Sequence, residues 1–222
     1  VQTRPTIRAC VAALAVIYLT TGPLKAAAPP AQISSCASCH GANGLGNAGA
    51  GFPALAGLSS AYIAQQLYSF KHGTRNNAIM TQLAGTLNGV QRQAIAAYYA
   101  GLPVPAQPEP TNLPGGVGAS LAMNGVWGHQ LTGVPSCQSC HGPYGVGVGA
   151  EFPRLAGQPK AYLSAQLIDW QKGSRKNDPL HLMRNVAAKL SAAQIDAVAA
   201  YYAALAANPT ALPKPSDAKG GK

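Results

Sequence analysis

One five-residue motif occurs twice in this chain, 101 positions apart: Cys36-Ala-Ser-Cys39-His40 and Cys137-Gln-Ser-Cys140-His141. C-x-x-C-H is the attachment signature of c-type haem, and its spacing has a mechanical reason. On one helical turn, residues i, i+3 and i+4 share a face. Two thiols can therefore add to the two vinyl groups of one porphyrin while the adjacent imidazole meets the iron. Other uses of a C-x-x-C pair fit less well. Zinc takes four ligands in a tetrahedron, and each Cys-Cys-His set is one short. A redox dithiol expects a preceding strand and has no use for the following His. Two covalently attached haem c groups are the expected cofactors.

Two haems also solve a problem of bulk. Hydrophobic residues make up 47% of the 222, yet only 6% are aromatic and much of the remainder is Ala. Large side chains are too few to fill two cores, so something other than protein must supply volume. Gly (25) and Pro (18) are spread along the chain, which predicts short helices between ordered loops. Charged residues are only 10%, which excludes a charge-rich disordered chain. No apolar run approaches the ~20 residues of a spanning helix, which excludes a multi-span membrane protein.

The duplication extends well beyond the motif. Gly41, Gly44 and Gly46 match Gly142, Gly145 and Gly147. At an offset of 100, Phe52-Pro53-Ala54-Leu55-Ala56-Gly57 matches Phe152-Pro153-Arg154-Leu155-Ala156-Gly157, and Tyr62, Gln66, Arg75 and Asn77 match Tyr162, Gln166, Arg175 and Asn177. Three inserted residues then bring Met80 onto Met183, and Tyr98-Tyr99 matches Tyr201-Tyr202. Two copies make two domains, since a solenoid needs more repeats. The expected organisation is a signal segment over 1–28, a first domain over 29–102 and a Pro-rich linker over 103–115. A second domain over 116–208 and a loose tail over 209–222 complete it. Helical faces repeat too: Ile63, Leu67, Phe70 and Leu163, Leu167, Trp170, then Ile95, Tyr99 and Val198, Tyr202. Asn88 is expected to cap one helix, and Ser191 with Gln194 to form a capping box on another. A further helix is predicted from about Ala119 to Gln130. No stretch alternates as a strand, so the expected fold is all-α.

The first residues read as an export leader. Arg4 and Arg8 precede the apolar segment Ala9–Thr21, Gly22 and Pro23 break it, and Ala26-Ala27-Ala28 offers small residues for cleavage. Export suits haem attachment outside the cytoplasm and predicts a periplasmic protein, with membrane contact through a retained leader or a partner as the alternative. The net charge of +10 comes without Lys/Arg runs interleaved with aromatics. Nucleic acid is therefore not an expected partner, and the charge suits steering onto acidic redox proteins.

Closing each iron takes one more ligand. Met80 lies 40 residues after His40 and Met183 lies 42 after His141, at equivalent places in the repeat. Met123 has no counterpart and reads as core packing. His72, His129 and His181 compete weakly; His181, two residues from Met183, is the one able to exchange with it. Pro53 and Pro153 either form rigid turns or offer a backbone carbonyl to the ring N–H of the haem-binding His. Arg75 and Arg175 either pair with haem propionates or sit solvated on the surface. Tyr62 and Tyr162 read as core packing, with propionate contact the alternative.

The two C-x-x-C-H motifs, two F-P-x-L-A-G segments, paired A-Y-x-x-x-Q-L helices and two following Met residues together resemble the dihaem cytochromes c of the cytochrome c4 type, over residues 34–207. The resemblance implies two tandem class I cytochrome c domains, each wrapped around a covalent haem, with Cys36, Cys39, His40 and Met80 serving one iron and Cys137, Cys140, His141 and Met183 the other. It also implies an electron carrier, not an enzyme, which shuttles single electrons from a quinol-oxidising cytochrome bc complex towards a terminal oxidase. Three other functions compete. An electron-accepting subunit fixed to a membrane dehydrogenase or oxidase would share the same chemistry. A dihaem peroxidase needs a haem that can open, and a thiosulfate-oxidising cytochrome with a Cys axial ligand needs a spare cysteine, of which only Cys10 remains. One departure matters: class I domains begin with a helix packed on their last one, and few residues precede Cys36 once the leader is removed.

Overall fold

The computed structural model describes residues 29–106, 115–126 and 133–207. The expected leader, most of the expected linker, His129 and the expected tail lie outside these. Among the described residues the chain is helical, with isolated β-bridges and no strand. No described helix is long and apolar enough to cross a membrane.

The first domain opens with α1 (Ile33–His40), which carries the first haem motif and stops at Gly41, whose φ of 80° few side chains tolerate. Helix α2 (Ser60–Lys71) is capped by the Ser59 hydroxyl and buries Ile63, Leu67 and Phe70. Helix α3 (Ala78–Gly85) starts on the side-chain cap of Asn77 and carries Met80 in its first turn. Helix α4 (Gly89–Gly101) begins with a full capping box, Asn88 with Gln91, and buries Ile95 and Tyr99. These faces meet in one core around Ile63, Leu67, Phe70, Leu87, Ile95 and Tyr99.

The second domain repeats the plan with one addition, α5 (Gly116–Asn124), before the motif helix α6 (Gln138–His141). Helix α7 (Lys160–Lys172) matches α2, and α8 (Leu182–Ala187) carries Met183. Helix α9 (Ala192–Ala204) begins with the Ser191/Gln194 capping box. Its core gathers Leu121, Leu163, Ile195, Val198 and Tyr202.

Helix α5 starts earlier and ends earlier than the expected Ala119–Gln130. Gly125 stops it at φ 72°, and an added Cβ there would sit 2.2 Å from the Val134 carbonyl. Val126 and Val134 pair in both directions at 2.8 and 2.7 Å, so the chain turns back to reach the motif. The helix ends because the backbone closes tightly there, and Gly125 is the residue that permits it.

Helix α5 lies against α9. A Cβ on Gly118 would come within 2.3 Å of the Ala197 carbonyl oxygen, so the two backbones are in contact. No helix precedes α1 among the described residues, and there the first domain lacks an equivalent of this crossing. Gly118→Ala is expected to force α5 off α9. Overpacking of this kind costs about 1–3 kcal/mol, and the melting temperature of the haem-loaded protein should fall by roughly 5–15 °C, as read by scanning calorimetry.

Candidate haem centres and the interface between them

Both motifs place their ligands by local helical turns. On α1, Cys36, Cys39 and His40 stand on one face. At the second motif the amides of Cys140 and His141 both return to the Cys137 carbonyl, at 3.3 and 2.9 Å, which closes the same turn. The four described cysteines are free. Burial pushes the Cys36 thiol up and the Cys137 thiol up to about 11, the opposite of an activated redox thiol.

The imidazoles are held alike. His40 Nδ1 lies 2.8 Å from the Pro53 carbonyl oxygen, and His141 Nδ1 lies 2.8 Å from that of Pro153. A carbonyl only accepts, so Nδ1 carries the hydrogen and Nε2 presents a lone pair. Burial pushes both imidazoles down, partly offset by these carbonyls. Both rings are therefore neutral near pH 7, as a metal ligand must be. Phe52 and Phe152 meet them edge-on, with centroids 6.5 and 6.0 Å away.

The loop between His and Pro is shaped by glycines. The Gly46 amide returns to the His40 carbonyl at 2.8 Å, and that of Gly147 to His141 at 2.7 Å. The Gly44 carbonyl accepts from Leu55 and Ala56, and the Gly145 carbonyl from Leu155 and Ala156. A Cβ on Gly44 would strike the Tyr99 ring at 2.9 Å, and one on Gly145 the Tyr202 ring at 2.5 Å. The Tyr99 and Tyr202 hydroxyls are buried without a well-formed hydrogen bond, beside Cys36 and Cys137 respectively. Two unsatisfied phenols next to two attachment thiols fit a site completed by a further group.

Met80 and Met183 are half-buried. Met80 packs against the first core along with Cys36 and Leu55. The two Met segments are built differently. Met80 follows an ordinary side-chain cap, its amide donating to Asn77 at 3.0 Å. Ahead of Met183 the three extra residues form a turn, Pro179–His181, in which Leu180 and His181 both adopt positive φ. Asp178 ties this turn down, accepting from the Arg184 amide at 2.9 Å and its Nε at 2.8 Å. His181 is exposed, as is His72, which stacks on Tyr68. Met123 is half-buried on α5, and its carbonyl accepts from Gln138.

Arg75 and Arg175 are not solvated: they are 6% and 7% exposed and lie against each other across the domain boundary. The Asn76 amide donates to Ser174 and the Lys176 amide to Thr74, in mirror fashion. Arg75 donates to Gln66 at 3.0 Å, to the Tyr162 hydroxyl at 3.1 Å and to Gln166. Arg175 returns the pattern, donating to Gln166 at 2.9 Å, the Tyr62 hydroxyl at 3.2 Å and Gln66 at 3.1 Å. Each guanidinium also stacks on its own domain's aromatic, Phe70 or Trp170. Tyr62 and Tyr162 therefore do more than pack: their hydroxyls bond across the boundary. Burial raises the Tyr162 phenol, but the two guanidiniums outweigh it and hold the phenol below its ordinary value. Burial and the like charge of Arg75 push Arg175 down. Among the described residues neither Arg forms a salt bridge.

Sequence reasoning passed over three side chains. Gln66 accepts from Arg75, Arg175 and Asn177 at once; its exact repetition was the available signal. Arg154 and Gln158 reach from the second domain onto Ala56 and Ala54 of the first, and their signal was a departure from the repeat. Gln66→Leu would leave buried guanidinium N–H groups unpaired, at about 1–3 kcal/mol for each such group. The denaturant midpoint of the haem-loaded protein should fall accordingly, while Asn88→Ala, a cap remote from the boundary, costs about 1 kcal/mol.

The family model described as cytochrome c matches residues 30–102 and 126–206. A thiosulfate dehydrogenase electron acceptor of Thiomonas intermedia is 45% identical over 202 residues, covering 90% of this chain and 91% of that protein. Among solved structures, reduced recombinant cytochrome c4 from Pseudomonas stutzeri superposes with a TM-score of 0.69 at 34% identity, covering 78% of this chain and 95% of that one. A thiosulfate dehydrogenase from Marichromatium purpuratum, in its as-isolated form, superposes with a TM-score of 0.70 at 42% identity over 78% of this chain, which spans only 36% of that longer molecule. With two C-x-x-C-H turns, two helical domains and relatives named as an electron acceptor and as cytochrome c4, the chain belongs to the cytochrome c family, as an electron carrier of the cytochrome c4 type with two covalent haem c groups.

Proposed function

We propose that this protein works in the periplasm, taking single electrons from one redox protein and passing them to another, with each iron held by His and Met. The duplicated imidazole carries the reading: a neutral ring, hydrogen-bonded through Nδ1 to a proline carbonyl, leaves Nε2 free on a thiol-bearing turn. His40 with Met80 would hold one iron, and His141 with Met183 the other. Each haem supplies a one-electron iron couple when bound. The chain's own residues would keep water and other ligands from each iron and keep rearrangement on electron transfer small. Thioether sulfur is a soft ligand that favours ferrous iron and raises the potential relative to two imidazoles.

Arg75 and Arg175 are read as propionate partners. Two buried guanidiniums that form no salt bridge among the described residues call for anions, and forked donors suit carboxylates. Their location between the domains would gather the acidic edges of both groups at the boundary. The surface at the Met segments suits protein docking. Ile79 and Leu83 around Met80, and Leu180 and Leu182 around Met183, are exposed apolar residues on a chain of positive net charge. Apolar contact at the centre with charge steering around it is how transient redox partners meet.

A cytochrome bc complex as donor and a terminal oxidase as acceptor form the main reading of the partners. A second is favoured by the relatives: a thiosulfate-oxidising dehydrogenase as donor, since both the Thiomonas protein and the Marichromatium structure carry that association. Stopped-flow reduction separates them. The haem-loaded protein is mixed with a bc complex and quinol, or with a thiosulfate dehydrogenase and thiosulfate. The physiological donor should reduce it far faster and with a rate that falls as salt rises.

Met80→Ala and Met183→Ala should each lower the potential of one haem only and open that iron to carbon monoxide. An unchanged potentiometric titration, with no carbon monoxide binding by the reduced variant, would refute the ligand assignment.

A further inference from the structure

The peptide unit between Pro53 and Ala54 is used at both ends. Its carbonyl oxygen accepts from His40 Nδ1 at 2.8 Å. Its N–H donates to the side-chain Oε1 of Gln158, in the other domain, at 2.9 Å. Gln158 Nε2 donates to the Ala54 carbonyl, also at 2.9 Å, so the carboxamide pairs with Ala54 as a strand would. Gln158 is 2% exposed, so water does not compete for these bonds. An amide that donates through its N–H becomes a better acceptor at its C=O, and the effect grows in a low-dielectric interior. The chain His40 Nδ1–H to Pro53 C=O, through the peptide to Ala54 N–H, to Gln158 Oε1 is thus one polarised relay.

The relay runs one way. At the repeat offset of 100, the place of Gln158 is taken in the first domain by Leu58, and that of Arg154 by Ala54. Leu58 is buried, and its side chain has no group able to accept from the Pro153–Arg154 peptide. The neighbouring contact is one-sided too: Arg154 Nη2 donates to the Ala56 carbonyl at 3.0 Å. The second domain therefore grips the backbone that orients the first domain's imidazole, and among the described residues no equivalent contact runs the other way.

We propose that Gln158 is a positioning residue through which the second domain sets the reduction potential of the first haem. By strengthening the bond at His40 Nδ1 it makes the imidazole more basic, and a more basic imidazole favours ferric iron. It holds the first haem's potential down and leaves the second untouched, so two near-identical domains are given different potentials. This rests on the reading of His40 and Met80 as ligands of the first iron.

The test uses the full-length, haem-loaded protein and follows each haem by the methyl signal of its own axial Met in proton NMR during a redox titration, assigned with Met80→Ala. Two such signals must be present in the unaltered reduced protein; their absence overturns the ligand reading itself, before Gln158 is tested. With both present, Gln158→Leu should raise the midpoint of the first haem alone. The His40 Nδ1 proton should move upfield and exchange faster with solvent. Gln158→Met, equally long and unable to hydrogen-bond, should do the same and serves if the Leu variant fails to load haem. Gln158→Glu keeps an acceptor for the Ala54 N–H and should leave that midpoint at or below its original value. Arg154→Met removes the neighbouring contact to Ala56 and leaves the Ala54 N–H bond in place, and losing a positive charge should lower midpoints, opposite in sign to Gln158→Leu. The role of Gln158 is overturned by an unmoved first midpoint, by equal shifts at both haems, by a downward shift in Gln158→Leu, or by Gln158→Glu behaving as Gln158→Leu does.

Discussion

An imidazole offers two nitrogens, and a haem-binding His must commit one of them before the other is useful. Here the bond from Nδ1 to a proline carbonyl does this in each domain, and much of the surrounding structure serves it. The motif turn ends in a glycine at positive φ, which lets the chain leave at once. The following loop folds back so that Gly46 and Gly147 meet the His carbonyls. Gly44 and Gly145 let that loop lie flat against the last helix, on Tyr99 and Tyr202. The repeated glycines, the Phe-Pro segment and the paired tyrosines are parts of one device for orienting a ring.

The two domains are joined by polar groups where a cruder solution would use apolar contact. Arg75, Arg175, Gln66, Gln166, Tyr62 and Tyr162 exchange hydrogen bonds in mirror pairs. A buried guanidinium demands directional partners, so this boundary has a defined register where an apolar one would slide. Directional contact also permits asymmetry. Arg154 and Gln158 reach one way only, and the three-residue insertion before Met183 gives the second domain a strained turn pinned by Asp178. A duplicated protein can thus acquire two distinct redox sites by altering a few side chains at the seam.

Much of the fold was legible because it is local. The helical faces of Ile63, Leu67 and Phe70, and the capping boxes at Asn88 and Ser191, follow from spacing within a few residues. Helix α5 was placed wrongly at its end because the stop at Gly125 answers to Val134, nine positions on, and a helical pattern does not reveal which glycine the returning chain will meet. The attachment thiols and their His were legible because the porphyrin imposes its own ruler on the chain. The hydroxyls of Tyr62 and Tyr162 were less so: a tyrosine on an apolar stripe looks like core, and only the other domain explains where its oxygen goes.

From its residues alone the chain determined two covalent haems and two helical domains, and it set a Met at an equivalent place after the motif His in each copy. These are matters of covalent reach and helical period, which act over short stretches and survive duplication intact. The tertiary structure decided which groups cross between the copies: that two arginines lie face to face and buried, and that Gln158 lands on the amide beside Pro53. Those contacts join residues about a hundred positions apart, and their energy depends on the docking angle of two finished domains, a quantity no local pattern encodes.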